Sequence, residues 1–416
     1  MAYTKWNRCD LTQRIYRDIP FDPKGAWFEN GNGIRDLSGV RILAESVDTV
    51  RQMYRGKIRE SRLAEIQAVI DSGDCYYRHG GWEWHVAKMG KKSGYLYKLQ
   101  NNQWGYIILL KSFYKKPDEV GTHLKIEVAP TRIAQTFVGE LQGFLDSFAY
   151  TFLLNHEPCE CAIHLAVDIQ GWDLPEDFEK RLKRQGSLQR TFNGIQELEY
   201  QGLDNVCATY GKRETVMFGK ASGLQFTVYR KDLEMVKSDK VDFYRQLWGE
   251  MYEADKPVWR IEARFHHSVM REIGNGTDGA RVRTYYQATD ILTDLWRYAL
   301  ERNRLMDSVR FIDPMWQLLM EDVEFIKSAQ GLNIKRVKKQ DAAAIEKNIG
   351  LMLGNAITVA VRRGVTFEQL IISLRNFALW EDIEGWYLSK DMTFNDFVIW
   401  LRKKVHERRM TSKVAA

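Results

Sequence analysis

Proline is scarce in this 416-residue chain, at 8 residues, and cysteine is scarcer still, at 5. So few prolines, beside 30 glycines, exclude collagen-like and low-complexity architectures. The cysteines (Cys9, Cys75, Cys159, Cys161, Cys207) are odd in number and scattered, which excludes a dense disulfide framework and suits a reducing compartment. Cys159 and Cys161 form a lone Cys-x-Cys with no second pair, against a zinc ribbon. The N-terminus lacks the apolar run of a secretory signal. The longest apolar stretch, Gly350 to Val361, is broken by Asn355 and falls short of the roughly 20 residues a membrane helix needs. A soluble, cytoplasmic protein with no membrane partner is the expectation. Also missing are a Walker A lysine loop, a Gly-x-Ser-x-Gly elbow and a His-Glu-x-x-His pair.

What is present is a chain too long for one ordinary core. Its 61 Lys and Arg against 55 Asp and Glu give a net charge of +6, which permits a polyanionic partner without requiring one. Aromatic residues abound, with 13 Trp, 19 Tyr and 19 Phe, and such rings fill cores and also stack on bases.

The rhythm of the chain divides it into an N-terminal accessory segment (1–75), a central domain (76–304) and a helical C-terminal domain with a basic tail (305–416). Between Ser46 and Ile70, the apolar residues Val50, Met53, Ile58, Leu63, Ile66 and Ile70 recur at helical spacing. From Tyr76 to Phe113 the pattern turns strand-like, with Trp82-Glu-Trp-His-Val, Tyr95-Leu-Tyr-Lys-Leu and Tyr106-Ile-Ile-Leu-Leu separated by turn residues. Strands are expected at Leu124–Val128, Cys161–Asp168, Thr215–Phe218, Leu224–Tyr229 and Trp259–Phe265, and helices at Ala134–Leu154, Asp177–Gln185 and Asp239–Trp248. Gly274 to Gly279 reads as a turn. Thr366-Phe-Glu-Gln369 fits a capping box, and Thr393-Phe-Asn-Asp396 opens a last helix. The tail carries Arg402, Lys403, Lys404, Arg408, Arg409 and Lys413 against the single acid Glu407, a pattern that suits a solvated helix end at least as well as DNA contact. The sum is an α+β fold, a largely antiparallel central sheet flanked by helices.

Three acids stand between apolar neighbours on separate strands: Glu127, Asp168 and Glu262. An acid in such a strand faces one side of the sheet. Taken singly, an exposed face or an ion pair explains it, and taken together the three suggest a shared site for a hard cation, Mg²⁺ or Mn²⁺. His123 and His164 precede Glu127 and Asp168 by four residues and share their faces, but about 13 Å of strand separates each pair. His266 and His267, adjacent on a strand, would face opposite ways.

The stretch from Gly211 to Lys231 reads as strand, tight turn, strand. Its Gly219-Lys-Ala-Ser222 and Val228-Tyr-Arg-Lys231 resemble the motifs of the replication initiation factor family of rolling-circle plasmids and filamentous phages. Ile163-His-Leu-Ala-Val-Asp168 and Trp259-Arg-Ile-Glu262 resemble two further family strands, in the family's order. Arg230 stands where the family often has an acid, and Leu165 where it has the first acid of its strand motif.

The resemblance implies a metal-dependent DNA endonuclease and strand transferase. Tyr229 would attack a phosphate of origin DNA, single-stranded or extruded as a hairpin, and hold its 5′ end as phosphotyrosine. The 3′-OH released would prime synthesis, and later joining would need no ATP. Lys231 would lower the tyrosine pKa or contact phosphate. Asp168, Glu127, Glu262, His123 and His164 are the candidate ligands of the divalent metal. Lys220, Ser222, Arg230, Lys91, Lys92 and Lys98 are candidate DNA contacts. A host helicase and polymerase would be partners, and a homodimer is allowed. The alternative is a non-catalytic DNA-binding replication regulator on the same fold. Tyr285 and Tyr286 are rival nucleophiles, in a segment that reads as core helix.

Overall fold

The computed structural model describes residues 3–9, 26–31, 33–184, 190–193, 206–210, 215–219, 222–337, 342–390 and 392–411. The chain forms two compact units, residues 1–337 and 338–416. Among the described residues no helix is long and apolar enough to cross a membrane.

The first unit is the α+β architecture expected. A three-stranded sheet joins β1 (Asn7–Cys9), β2 (Trp27–Asn30) and β3 (Gly33–Asp36). Among the described residues the large sheet has twelve strands: β4 (Arg41–Ile58), β5 (Tyr76–His79), β6 (Trp82–Lys88), β7 (Tyr95–Asn101), β8 (Tyr106–Ser112), β9 (Gly121–Val128), β10 (Leu153–Gln170), then β12 (Arg190–Asn193), β13 (Val206–Tyr210), β14 (Thr215–Phe218), β15 (Leu224–Arg230) and β16 (Val258–Phe265). A separate pair joins β11 (Leu182–Arg184) to β17 (Asn303–Leu305). The spatial order is β12-β13-β14-β15-β16-β10-β4-β9-β8-β7-β6-β5, antiparallel except for β12 beside β13.

One face of the large sheet is apolar. Cys161, Ile163, Leu165, Val167 and Ile169 of β10 alternate onto it, with Ile261 and Ala263 of β16 and Leu124, Ile126 and Val128 of β9. The helix Val138–Phe152 and the helices after Phe265 cover it, burying Leu141, Leu145, Met270, Leu295 and Trp316. At about 25 cal/mol per Å² of apolar area, this continuous core stabilises the unit. The opposite face carries polar residues, and its end near Asp168 is covered by the short helices Lys231–Lys237 and Val241–Trp248 through Met235, Tyr244 and Trp248.

The expected strands at residues 124–128, 161–168, 215–218, 224–229 and 259–265 all form. The stretch read as a helix from Ser46 does not: β4 runs to Ile58, and only Glu60–Asp71 is helical. The misreading has a physical cause. β4 pairs with β10 in a register that skips Asp48, with His164 opposite Thr49 and Leu165 opposite Val47. This bulge sets Val47 and Val50 three apart on one face, which imitates a helix. Consequently residues 1–75 are no accessory segment, since β4 is the strand between β10 and β9. Nor does the C-terminal domain begin at 305. The helix Pro314–Asp322 belongs to the first unit, where the Trp6 amide donates to Gln317 Oε1 at 2.8 Å and Arg8 pairs with Asp322 at 2.6 Å.

Three shorter readings also shift. The charged helix at 177–185 is one turn, Phe178–Arg181, running into β11. The glycine turn at 274 is the end of a helix, His267–Gly276. β16 stops at Phe265, so His266 is that helix's N-cap, accepting from the Ser268 amide, and the two histidine rings lie 3.8 Å apart. Burial, with Lys125 and Arg51 nearby, pushes His266 down to about 4, and burial beside His266 takes His267 to about 3.

The second unit is helical, with Ala342–Arg362, Phe367–Arg375, Trp380–Leu388 and Phe394–Thr411 packed through Leu353, Ile357, Ile383, Trp386, Phe397 and Leu401. The Thr366–Gln369 capping box is formed. Thr393 and Asp396 exchange the equivalent bonds, Thr393 N–H to Asp396 Oδ2 at 2.9 Å and Asp396 N–H to Thr393 Oγ1 at 3.2 Å.

Candidate active site

In an antiparallel pair, residues directly opposite share a face, and so do residues two apart. The register therefore lays out a polar grid across β15, β16, β10 and β4. Tyr229 is opposite Arg260, which is opposite Asp168; Thr227 is opposite Glu262, which is opposite Ala166; Gln225 is opposite Arg264, which is opposite His164. Farther along the same face, Ala162 is opposite Arg51, and Arg51 opposite Glu127. Glu127, Asp168 and Glu262 thus share one face, as their alternation suggests.

They do not share one site. Glu127 lies three strands and four residues from Glu262, roughly 20 Å by strand geometry. It is half exposed and pairs with Arg51 Nε at 2.6 Å. Asp168 is fully buried with both oxygens engaged: Oδ1 accepts from Arg260 Nε at 2.6 Å, and Oδ2 from Arg260 Nη2 at 2.7 Å and the Trp248 indole at 2.8 Å. Three bonds from buried partners take most of the acceptor capacity of this carboxylate, and Asp168 is not among the groups whose donor atoms converge. Arg260, itself fully buried, turns its Nη1 to Asp48 Oδ1 at 2.5 Å. Asp168 is therefore an anchor for Arg260, and Arg260 holds Asp48.

The groups that do converge are Asp48, His164 and Glu262, whose donor atoms lie within 4.8 Å of one another. His164 Nδ1 and Glu262 Oε1 are 3.3 Å apart. Two ligands bound at about 2.1 Å to one cation are separated by about 3 Å, so this spacing suits adjacent positions on a metal. Glu262 is buried. Burial resists its ionisation, but the His164 hydrogen bond and the Arg264 charge outweigh it and hold the carboxyl well below the usual range. Beside it, buried Thr227 has a hydroxyl oxygen with no hydrogen-bond partner. An orphaned hydroxyl directly across the strand pair from Glu262 is a group that a cation's water would complete. This donor set fits Mn²⁺ better than Mg²⁺, because imidazole is a softer ligand than Mg²⁺ favours.

Asp48 escaped the sequence reading because its strand imitates a helix. The bulge that causes the imitation is also what re-aims its side chain, as bulges do beside sites. An acid between β-branched Val47 and Thr49 was the available signal.

Tyr229 lies on the same face, partly exposed, at the end of β15. Burial and then Glu262 raise its phenol well above the ordinary value, which keeps it protonated unless positive charge is added nearby. Lys231 is the first residue of the following helix rather than the end of the strand. Its ammonium is buried, 5.8 Å from the Tyr229 ring centre and 4.0 Å from that of Tyr244, and pairs with Glu234. Burial lowers its pKa. Arg230 pairs with Asp232 at 2.5 Å and lies over Trp259.

The remaining candidates are dispersed. His123 is buried and satisfied: its Nδ1 accepts from the Ser112 amide at 3.2 Å and its Nε2 is 3.0 Å from the Glu119 carbonyl, so it has no nitrogen left for a metal. Ser222 sits in the turn before β15, its carbonyl accepting from Ser268 Oγ at 3.0 Å. Lys220 lies outside the described residues. Lys91 and Lys92 are exposed in a single turn of 3₁₀ helix, and Lys98 is half buried on β7, with five strands between it and β15. Of the rival tyrosines, Tyr285 is core, its amide donating to Gln52 Oε1 at 3.0 Å, and Tyr286 is 57% exposed with no acid–histidine set described around it.

No family model matches the chain. It is 35% identical over 412 residues to the uncharacterized protein ORF430 of Pseudomonas phage Pf1, across 94% of this chain and 93% of that one. Identity of that extent, end to end, means the two share this fold, and the chain belongs to the family of the phage Pf1 ORF430 protein.

Proposed function

We propose that the protein is a replication initiator that nicks one DNA strand with Tyr229 and stays attached to its 5′ end. The observation that carries this reading is the gathering of Tyr229, Asp48, His164 and Glu262 on one face of the sheet. The resemblance of the strands bearing Tyr229, Asp168 and Glu262 to replication initiation factors supports it, and so does the phage source of the relative.

In the step proposed, a Tyr229 Oη lone pair forms the bond to phosphorus as the bond from phosphorus to the 3′ oxygen breaks. The phenolic proton passes to solvent and the departing oxygen takes one up, so charge and atoms balance. A divalent cation held by Asp48, His164 and Glu262 would supply positive charge to the phosphate oxygens and the phenolate. Arg260, locked between Asp168 and Asp48, fixes the ligand Asp48. Lys231 adds positive charge beside the nucleophile's ring. The reverse attack by a 3′-OH rejoins the strand at the expense of the phosphotyrosine bond.

The test is incubation with single-stranded DNA spanning the replicon's origin and Mn²⁺, followed by a denaturing gel. A covalent adduct mapped to Tyr229 is expected. DNA binding with no adduct under any divalent cation would instead favour the regulator, a reading to which the clamp of Arg264 on Glu262 lends weight.

A further inference from the structure

Glu262 is gripped by a neighbour that a cation would have to contest. Arg264 sits two residues along β16 and reaches back, its Nε donating to Oε1 at 2.8 Å and its Nη2 to Oε2 at 2.8 Å. Oε1 is also the oxygen 3.3 Å from His164 Nδ1, so the guanidinium and any cation shared by Glu262 and His164 compete for one atom. Glu262 is enclosed, with a side chain 1% exposed, whereas that of Arg264 is 33% exposed and has room to move. Its Nη1 donates to Gln225 Oε1 at 3.2 Å. Gln225 lies two residues before Thr227 and four before Tyr229 on the same face of β15.

We propose that Arg264 is a cation-released phosphate ligand: metal binding at Glu262 frees its guanidinium, which then grips the DNA backbone on the sheet face that carries Tyr229, four residues along the strand from it. The inference rests on the metal site proposed above and adds its regulation. Charge makes the exchange reasonable. The cluster holds three carboxylates, Asp48, Asp168 and Glu262, against two guanidiniums, Arg260 and Arg264. Counting only these, it is one charge negative and repels a phosphodiester. A divalent cation makes it one charge positive, which one phosphodiester neutralises. Gln225 remains as a tether that keeps the released fork over β15, and guanidinium is suited to two-point capture of phosphate. The clamp thereby protects against nicking out of order: without the cation the site is both unreactive and unattractive to DNA.

The experiment measures Mn²⁺ binding and the affinity for a short mixed-sequence single-stranded oligonucleotide, each with and without the other, on a Tyr229→Phe background that prevents attachment. Wild-type Arg264 should make the two ligands cooperative by about tenfold. In Arg264→Gln, Mn²⁺ should bind at least as tightly as before, and Mn²⁺ should no longer strengthen DNA binding. Arg264→Lys, which keeps the charge but loses the fork, should restore part of the coupling, and its melting curve shows whether the fold survives if the Gln variant unfolds. Weaker Mn²⁺ binding by a folded Arg264→Gln, or full cooperativity in it, would overturn the proposal while leaving the metal site standing. Absence of Mn²⁺ binding by the chain with Arg264 intact would remove the site and the release mechanism together.

Discussion

Tyr229 and Asp168 stand in one row of the grid with Arg260 between them, and their substitutions should behave in opposite ways. Tyr229→Phe keeps the ring and removes one hydroxyl. Thermal stability should fall by no more than about 1 kcal/mol, and the covalent adduct should vanish on a gel. Retained adduct would point to Tyr286, the exposed rival. Asp168→Asn is a structural change first. It removes the charge that compensates fully buried Arg260, leaving only Asp48 to do so, and breaking a buried pair costs roughly 3 kcal/mol. A urea melt should show that loss, while Mn²⁺ affinity changes less than it does in His164→Gln. If Asp168→Asn melted like the unaltered protein and lost Mn²⁺ binding, Asp168 would be a ligand after all.

At the scale of the element, the bulge in β4 is what brings Asp48 to His164 and Glu262. Asp48→Asn keeps the volume and should weaken Mn²⁺ binding at least tenfold, as loss of one charged ligand of three would. An equal affinity measured by calorimetry would exclude Asp48 from the site. The bulge also marks the boundary of what patterning could reveal. β9, β10, β15 and β16 alternate cleanly around Glu127, Asp168, Tyr229 and Glu262, so their strands and common face are legible. β4 is interrupted by shifts of register against β10, so its period is blurred, and the ligand on it stays hidden with it. Nor does alternation disclose that Asp168 is consumed by Arg260, because pairing of strands distant in sequence decides that. The helix start at His266 gives a pH prediction. Both histidines there have folded values, about 4 and about 3, below the 6.5 of the free side chain. The unfolded chain therefore binds more protons between pH 6.5 and about 3, and stability must fall as pH drops through that window. Lys125, Arg51 and Arg271 oppose the charging and Glu160, 3.0 Å from His267, favours it. His266→Asn with His267→Gln preserves a capping acceptor and should flatten the fall in urea midpoint between pH 7 and pH 5. An unchanged slope would assign the acid sensitivity elsewhere.

At the scale of the whole molecule, each unit has its own core, so a chain ending at Val337 should fold and still form the Tyr229 adduct. If the basic helix Phe394–Thr411 contacts duplex DNA, truncation should weaken duplex binding and flatten its dependence on salt, because fewer phosphates are neutralised. An unaltered salt slope would make Arg402, Lys403, Arg408 and Arg409 an ordinary solvated surface. The order of the strands in the large sheet has one more consequence, for the chain as it leaves the ribosome. β4 is made early, yet β10 beside it follows roughly a hundred residues later and β16 roughly a hundred after that. At about 5–20 residues per second, the strand that carries Asp48 waits for many seconds with an unpaired, half-apolar edge. Nascent chains that stall there would be expected to stick to one another, so slower growth at lower temperature or a helpful chaperone should raise the yield of active protein more than any change to the finished surface.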